Sequence, residues 1–337
     1  MSNSPDSTAR QDNQTTIIPS ADLEEALEMS DLVPAIEAAF AAYENDTAQM
    51  PPKSYIDLPQ HNGDFRSMPA YLETENWEAS GIKWVNVHPD NPDEFDLPTV
   101  MGTLIYTDPK NGFPLAVMDA TTLTMKRTGA AAAVATDHLA VEDASTLGII
   151  GAGVQSYTQL DAISQVRPIE SVVISDLDED RVERFIDTFD DEFDVRAGTI
   201  SEAAQCDVLS TVTPVEDPIV SVDDLGPQTH VNAMGADAEG KQELQTEVIK
   251  EATLVIDDLD QTTHSGEINV PWHEGEIDES DIDAELGEIV VGNAPDREEL
   301  SGVTVFDSTG LAIQDVATAR IVYESLDVDG GQRLEML

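Results

Sequence analysis

The sequence predicts an α/β fold: a doubly wound parallel sheet set inside a second, α+β domain built from both ends of the chain. Three observations carry this expectation. From Thr146 onward, short apolar β-rich runs alternate with polar helical runs, the pattern of a parallel sheet covered by helices. The turn after the first of these strands is Gly151-Ala152-Gly153, with glycine where a strand passes tightly into a helix. Before Thr146 the chain reads instead as a helix followed by strands broken by Pro, Asn and Gly, and a strong helix follows the last strand.

In chain order, "MSNSPDSTARQDNQTT" (residues 1–16) has no apolar segment and is expected to be a disordered polar tail, not a signal peptide. "SADLEEALEMSDLVPAIEAAFAAYE" has helix-start residues and apolar spacings of three and four, so it is helical, with an interruption at Pro34. "GIKWVNVHP", "TVMGTLIYTD" and "PLAVMDATTLT" are strand-like. Next come "TLGII" (strand), "VQSYTQLDAISQV" (helix), "SVVISD" (strand) and "EDRVERFIDTF" (helix). "CDVLSTVT" and "HVNAMGA" are strands, "TEVIKEA" a helix and "ATLVIDD" a strand. "HEGEIDESDIDAELGE" reads as an acidic, exposed excursion. After the last strand, "VTVFDS", the helix "LAIQDVATARIVYESL" can pack back onto the N-terminal part. The expected domains are therefore 17–127 with 311–337, on the substrate side, and 128–310, the nucleotide-binding unit.

At 337 residues the chain can bury two modest cores. Its 68 acidic residues against 16 basic give a formal net charge of -52. A field of that sign repels nucleic acid and anionic membrane, which excludes both as partners. Self-repulsion on this scale calls for screening by salt, so the composition points to a halophile's cytoplasmic protein with the acids on a solvated surface. Cys206 is the only cysteine, so no intrachain disulfide can form, in keeping with a reducing compartment. No stretch approaches the roughly 20 apolar residues of a membrane span.

The glycine turn carries the cofactor argument. Gly151 permits the tight turn, and Gly153 lets backbone N–H groups approach a pyrophosphate at the helix N-terminus. Ser156 occupies the place of the third glycine, so the motif is incomplete, but a strand precedes it and a helix follows. The second strand ends at Asp176, 23 residues after Gly153, near the spacing of an acid that binds the adenosine ribose. No arginine follows directly in "SDLDEDR", which favours NAD over NADP.

Cations are scarce before Thr146: Arg10, Lys53, Arg66, Lys83, Lys110, Lys126 and Arg127. Lys83 lies within a β run, where a charge must reach water or an anion. A small carboxylate substrate wants such groups, an arginine fork above all; surface ion pairing is the alternative. The six histidines show no metal-site spacing, no metal is expected, and no G-x-S-x-G marks a nucleophile.

The ordered set "FRSMPAYL", "GIKWVNVHPDNP", "PTVMGTLIYTDPKNGFPLAVMDATTLTMKRTGAAAAVATDHLA", "GIIGAGVQS", "NAMGADAEGKQEL" and "VFDSTGLAIQDVATA" resembles the ornithine cyclodeaminase/mu-crystallin family, and most its archaeal alanine dehydrogenase branch. The resemblance implies a Rossmann-type NAD domain inserted in a second domain that binds substrate and forms a homodimer. It implies that Lys83 and Arg127 hold the substrate carboxylate, that Lys53 faces the substrate, and that Asp237 assists proton transfer or water attack. It also implies NAD contacts from Gly151, Gly153, Val154, Gln155 and Asp176, with Thr128, Thr213 and Ser308. Ornithine-specific members place a glutamate where this chain has Arg66, a cation that would repel an ornithine ammonium and bind a carboxylate. The implied reaction is reversible oxidative deamination of L-alanine to pyruvate and ammonia. Ornithine cyclisation, cyclic-imine (ketimine) reduction and a nucleotide-dependent binding role of mu-crystallin type are the alternatives.

Overall fold

The computed structural model describes residues 14–326 and 332–335. Its strands are β1 (Gln14–Ile18), β2 (Ala48–Gln49), β3 (Ser54–Leu58), β4 (Gly63–Glu73), β5 (Glu78–Val87), β6 (Val100–Thr107), β7 (Pro114–Asp119), β8 (Thr146–Ile150), β9 (Ser171–Ser175), β10 (Asp194–Ala197), β11 (Val208–Thr211), β12 (His230–Ala233), β13 (Thr253–Ile256), β14 (Ala284–Glu285), β15 (Thr304–Asp307) and β16 (Gln332–Glu335). They form two sheets. The first runs β16-β1-β7-β6-β5-β4-β2, with β3 also on β4, and only the β1–β7 pair is parallel. The second runs β10-β9-β8-β11-β12-β15-β13-β14 and is parallel throughout.

The parallel sheet matches its sequence pattern for a physical reason. Alternate residues of a strand leave opposite faces, so a strand buried on both sides must be apolar without interruption. Leu147 and Ile149 of β8 pack into one core, whereas Ile150 packs into the core on the other face. The first sheet is covered on one side by Met29–Glu44, Ala120–Leu139 and Ala312–Ser325, which enclose the largest apolar core. The C-terminal helix Ala312–Ser325 thus lies against β4 and β5, far from it in sequence.

Several expectations need correction. Gln14, Thr15 and Thr16, expected in the polar tail, belong to β1, where β7 and β16 supply the neighbouring strands. Residues 1–13 of that tail lie outside the described residues. The helix break falls at Leu27–Glu28, and Met29–Glu44 runs on through Pro34. "ATTLT" is the first turn of a helix rather than strand, because the Asp119 carboxylate accepts hydrogen bonds from the Thr121 and Thr122 backbone N–H groups. That helix, Ala120–Leu139, runs on for about four turns beyond it. The acidic excursion is partly packed: β14 extends the parallel sheet, and Ile277, Ala284 and Leu286 are buried.

Candidate active site

Period-two alternation puts Arg66 and Lys83 on the helix-covered face of the first sheet, with Met68 opposite Lys83 and Val85 opposite Arg66. Lys83 is only 1% exposed. Its Nζ lies 2.8 Å from the Asp315 carboxylate, which projects from the C-terminal helix, and 3.2 Å from Thr124 Oγ1. Arg127, from the helix Ala120–Leu139, reaches the same carboxylate through Nε at 3.2 Å and Gln314 Oε1 through Nη1 at 3.2 Å. One buried carboxylate therefore holds two cations side by side.

The facing wall is made by loops at the carboxyl ends of the parallel strands, where open α/β sheets bind ligands. The loop after β12 carries Asp237 and Lys241, with Lys241 Nζ 2.6 Å from Asp237 Oδ1. Arg66 Nη1 donates to the Asp237 backbone carbonyl at 3.1 Å and approaches Oδ2 at 3.4 Å. Its Nε and Nη2 grip Asp64 at 2.8 and 2.9 Å. The loop after β15 presents the Thr309 carbonyl to Lys53 Nζ at 2.8 Å. Asp257, just past β13, accepts from the Thr309 and Gly310 N–H groups and from the Thr262 and Ser308 hydroxyls.

The charges tune one another. Burial pushes the Lys83 ammonium down to about 7, with Asp315 opposing, and pushes Lys53 down to about 8, with Asp257 opposing. Burial also pushes the Asp237 carboxyl up, but Lys241, Arg66 and Lys53 outweigh it and hold that carboxyl below its ordinary value. Asp237 is thus held as an anion among these cations.

A dinucleotide fits the residues at the glycine turn. Gly151 has φ +106°, and a Cβ there would lie 2.9 Å from the Val212 carbonyl. A Cβ on Gly153 would meet no atom within 4 Å, so the approach to the N-terminus of Val154–Val166 is open. Asp176 stands beside the turn, its carboxylate accepting from the Ala152 and Asp178 N–H groups at 2.6 and 2.8 Å. The turn sits between β8 and β11, where strand order reverses. Close packing normally secured by a third glycine is provided elsewhere: a Cβ on Gly129 would fall 2.3 Å from the Thr158 carbonyl, and one on Gly148 2.0 Å from that of Ala203.

Of the residues singled out in the sequence, Lys53, Arg66, Lys83, Arg127 and Asp237 converge in one cluster. Gly151 and Gly153 lie in the glycine turn, Val154 and Gln155 open the helix that follows it, and Asp176 is tied to the turn through the Ala152 N–H. Thr128 is buried on the helix shared by both sheets. The Thr213 hydroxyl donates to Glu243 at 2.6 Å and the Ser308 hydroxyl to Asp257 at 3.1 Å, so neither is a bare cofactor donor. Lys126 points away and donates to the Leu27 carbonyl. Sequence reasoning missed Asp64, Asp257, Lys241 and Asp315. For Asp315 a signal existed: an acid inside the apolar run "LAIQDVATA" must be paired if that run is buried.

The chain is similar over most of its length to several enzymes. An alanine dehydrogenase of Archaeoglobus fulgidus is 44% identical over 313 residues, covering 93% of this chain and 95% of that protein. An archaeal alanine dehydrogenase dimer solved with bound NAD superposes with a TM-score of 0.91 at 43% identity, covering 96% of this chain and 100% of that one. The Δ1-pyrroline-2-carboxylate reductase of Thermococcus litoralis, solved with NADH and L-proline, has a TM-score of 0.88 at 36% identity, covering 92% and 97%. Across residues 13–330, in both the two-sheet architecture and the sequence that builds it, the chain belongs to the ornithine cyclodeaminase/mu-crystallin family.

Proposed function

We propose that this NAD-dependent oxidoreductase catalyses the reversible oxidative deamination of L-alanine to pyruvate and ammonia. The observation that carries the reading is the pairing of Lys83 and Arg127 on Asp315, with Lys53 within electrostatic reach of both Arg127 and the anionic Asp237. Lys83 and Arg127, fixed by Asp315, hold the substrate carboxylate and so orient the α-carbon. NAD, when bound on Gly151, Gly153 and Asp176, supplies the acceptor for the α-hydrogen as hydride. Asp237 takes the proton of the water that adds to the imine carbon and returns it to the nitrogen, so that the C–N bond breaks with ammonia leaving, and Lys241 and Arg66 keep Asp237 ionised between turnovers. Preorganised charges of this kind need no rearrangement as the reaction proceeds.

The protein is proposed to work as a cytoplasmic homodimer. Ile56, Ile82, Trp84 and Ile105 are exposed on strands of the first sheet, an apolar face unusual on so acidic a chain, and the archaeal relative is a dimer. No helix among the described residues is long and apolar enough to cross a membrane. Likeness to the pyrroline-carboxylate reductase keeps cyclic-imine reduction as the second reading.

The test is absorbance at 340 nm with NAD and L-alanine in molar KCl, with L-ornithine run in parallel. Steady NADH formation with alanine is expected. Ammonia and proline from ornithine without NADH build-up would replace this reading with cyclodeamination. Asp237→Asn should lower kcat by about 10²- to 10⁴-fold with alanine binding retained, and undiminished turnover would remove Asp237 from the mechanism.

A further inference from the structure

Asp64 is a residue that the proposed reaction does not use. It lies two positions before Arg66 on β4, so both side chains leave the strand on the same face. Its carboxylate takes Arg66 Nε at 2.8 Å and Nη2 at 2.9 Å, a two-point engagement of the guanidinium fork. The remaining Nη1 is turned toward Asp237, and the Tyr55 ring lies 5.5 Å from the guanidinium carbon. Arg66 is 6% exposed, so this arrangement is a packed part of the site and not a surface pair.

The fork matters because of where it stands. Arg66 borders Asp237, beside the position assigned to the reacting carbon, and so faces whatever side chain the substrate carries. A free guanidinium there would bind a second substrate carboxylate in the same two-point manner. We infer that Asp64 is a specificity-determining residue: a built-in carboxylate that fills the Arg66 fork and thereby excludes dicarboxylic amino and keto acids, while a monocarboxylic substrate such as alanine needs nothing from it. A substrate with a distal carboxylate would have to displace Asp64 and then leave it beside a like charge. This rests on the placement of the substrate given above.

The experiment is calorimetric titration of the full-length protein with succinate and with propionate in the presence of NAD, for wild type, Asp64→Asn and the smaller Asp64→Ser. Wild type should bind propionate at least as tightly as succinate. Releasing one or two charge-assisted hydrogen bonds should raise the succinate-to-propionate affinity ratio by roughly ten- to a hundredfold in both variants. A wild type that already prefers succinate overturns the inference, and so does an unchanged ratio. Loss of both ligands in variants with unaltered unfolding midpoints also overturns it, since Asp64 would then support the site as a whole. Absence of alanine oxidation by wild type would sink the assigned reaction while leaving the ligand ratio readable, so the two failures are distinct.

Discussion

Replacing Gly310 with alanine adds one methyl group at the point where the loop after β15 meets Arg127. A Cβ there would lie 2.2 Å from Arg127 Nη1, 2.6 Å from Nη2 and 2.7 Å from Cζ, closer than any real contact. The obstructed atoms are the far end of a flexible side chain, so the guanidinium yields and the fold does not. Moving it strips the 3.2 Å contacts to Gln314 and Asp315 and withdraws the fork from the substrate carboxylate. A hydrogen bond to a charged group is worth about 1.5–3 kcal/mol, and each 1.4 kcal/mol is about tenfold. The KM for alanine should therefore rise roughly ten- to a hundredfold. Gly310 also has φ +73°, so an alanine there adds about 1–2 kcal/mol of backbone strain. Alanine titrations followed at 340 nm, with urea unfolding in the same buffer, separate the two effects. A KM within twofold of wild type in a folded variant would show that Arg127 does not hold the carboxylate, and the reasoning about Asp315 as its anchor would fall with it.

Salt and acid should act through different residues. Acids crowd exposed segments such as Asp178–Asp180 and Asp190–Glu192, so the thermal unfolding midpoint should climb with KCl as the Debye length falls from about 10 Å at 0.1 M to about 3 Å at 1 M. A flat or falling midpoint would show that net charge is no liability for this fold. His230 is fully buried between Thr304 Oγ1 at 2.9 Å and Asn232 Oδ1 at 3.1 Å, and burial pushes its imidazole down to about 3 from an ordinary 6.5. Its folded-state value lies below the unfolded one, so its stability contribution is complete above pH 6.5 and is lost at about 1.4 kcal/mol per pH unit as the pH falls toward 3. His230→Gln should flatten the acid limb of stability against pH by that slope, and parallel limbs would refute the assignment.

Most of the parallel sheet was legible because its signals are contiguous. Leu147, Ile149 and Ile150 in "TLGII", two glycines and an acid at the end of the next strand declare strand, turn and ribose site within some thirty residues, by local geometry alone. The scarcity of cations before Thr146 left Lys53, Arg66, Lys83, Lys126 and Arg127 as candidates and the family resemblance chose among them, but neither could say what each would touch. That was decided only in three dimensions. Asp315 meets Lys83 across 232 positions and Arg127 across 188, because the C-terminal helix returns to cover β4 and β5. The same holds for β1, a polar segment that became a strand only when β7 and β16 supplied its partners. Arg66, expected to bind a substrate carboxylate, also meets Asp64 and Asp237, contacts that no local pattern announces. Periodicity and turn chemistry specify elements, but a charge buried between elements is compensated by whichever group the packing brings within 3 Å, and no local pattern encodes that choice.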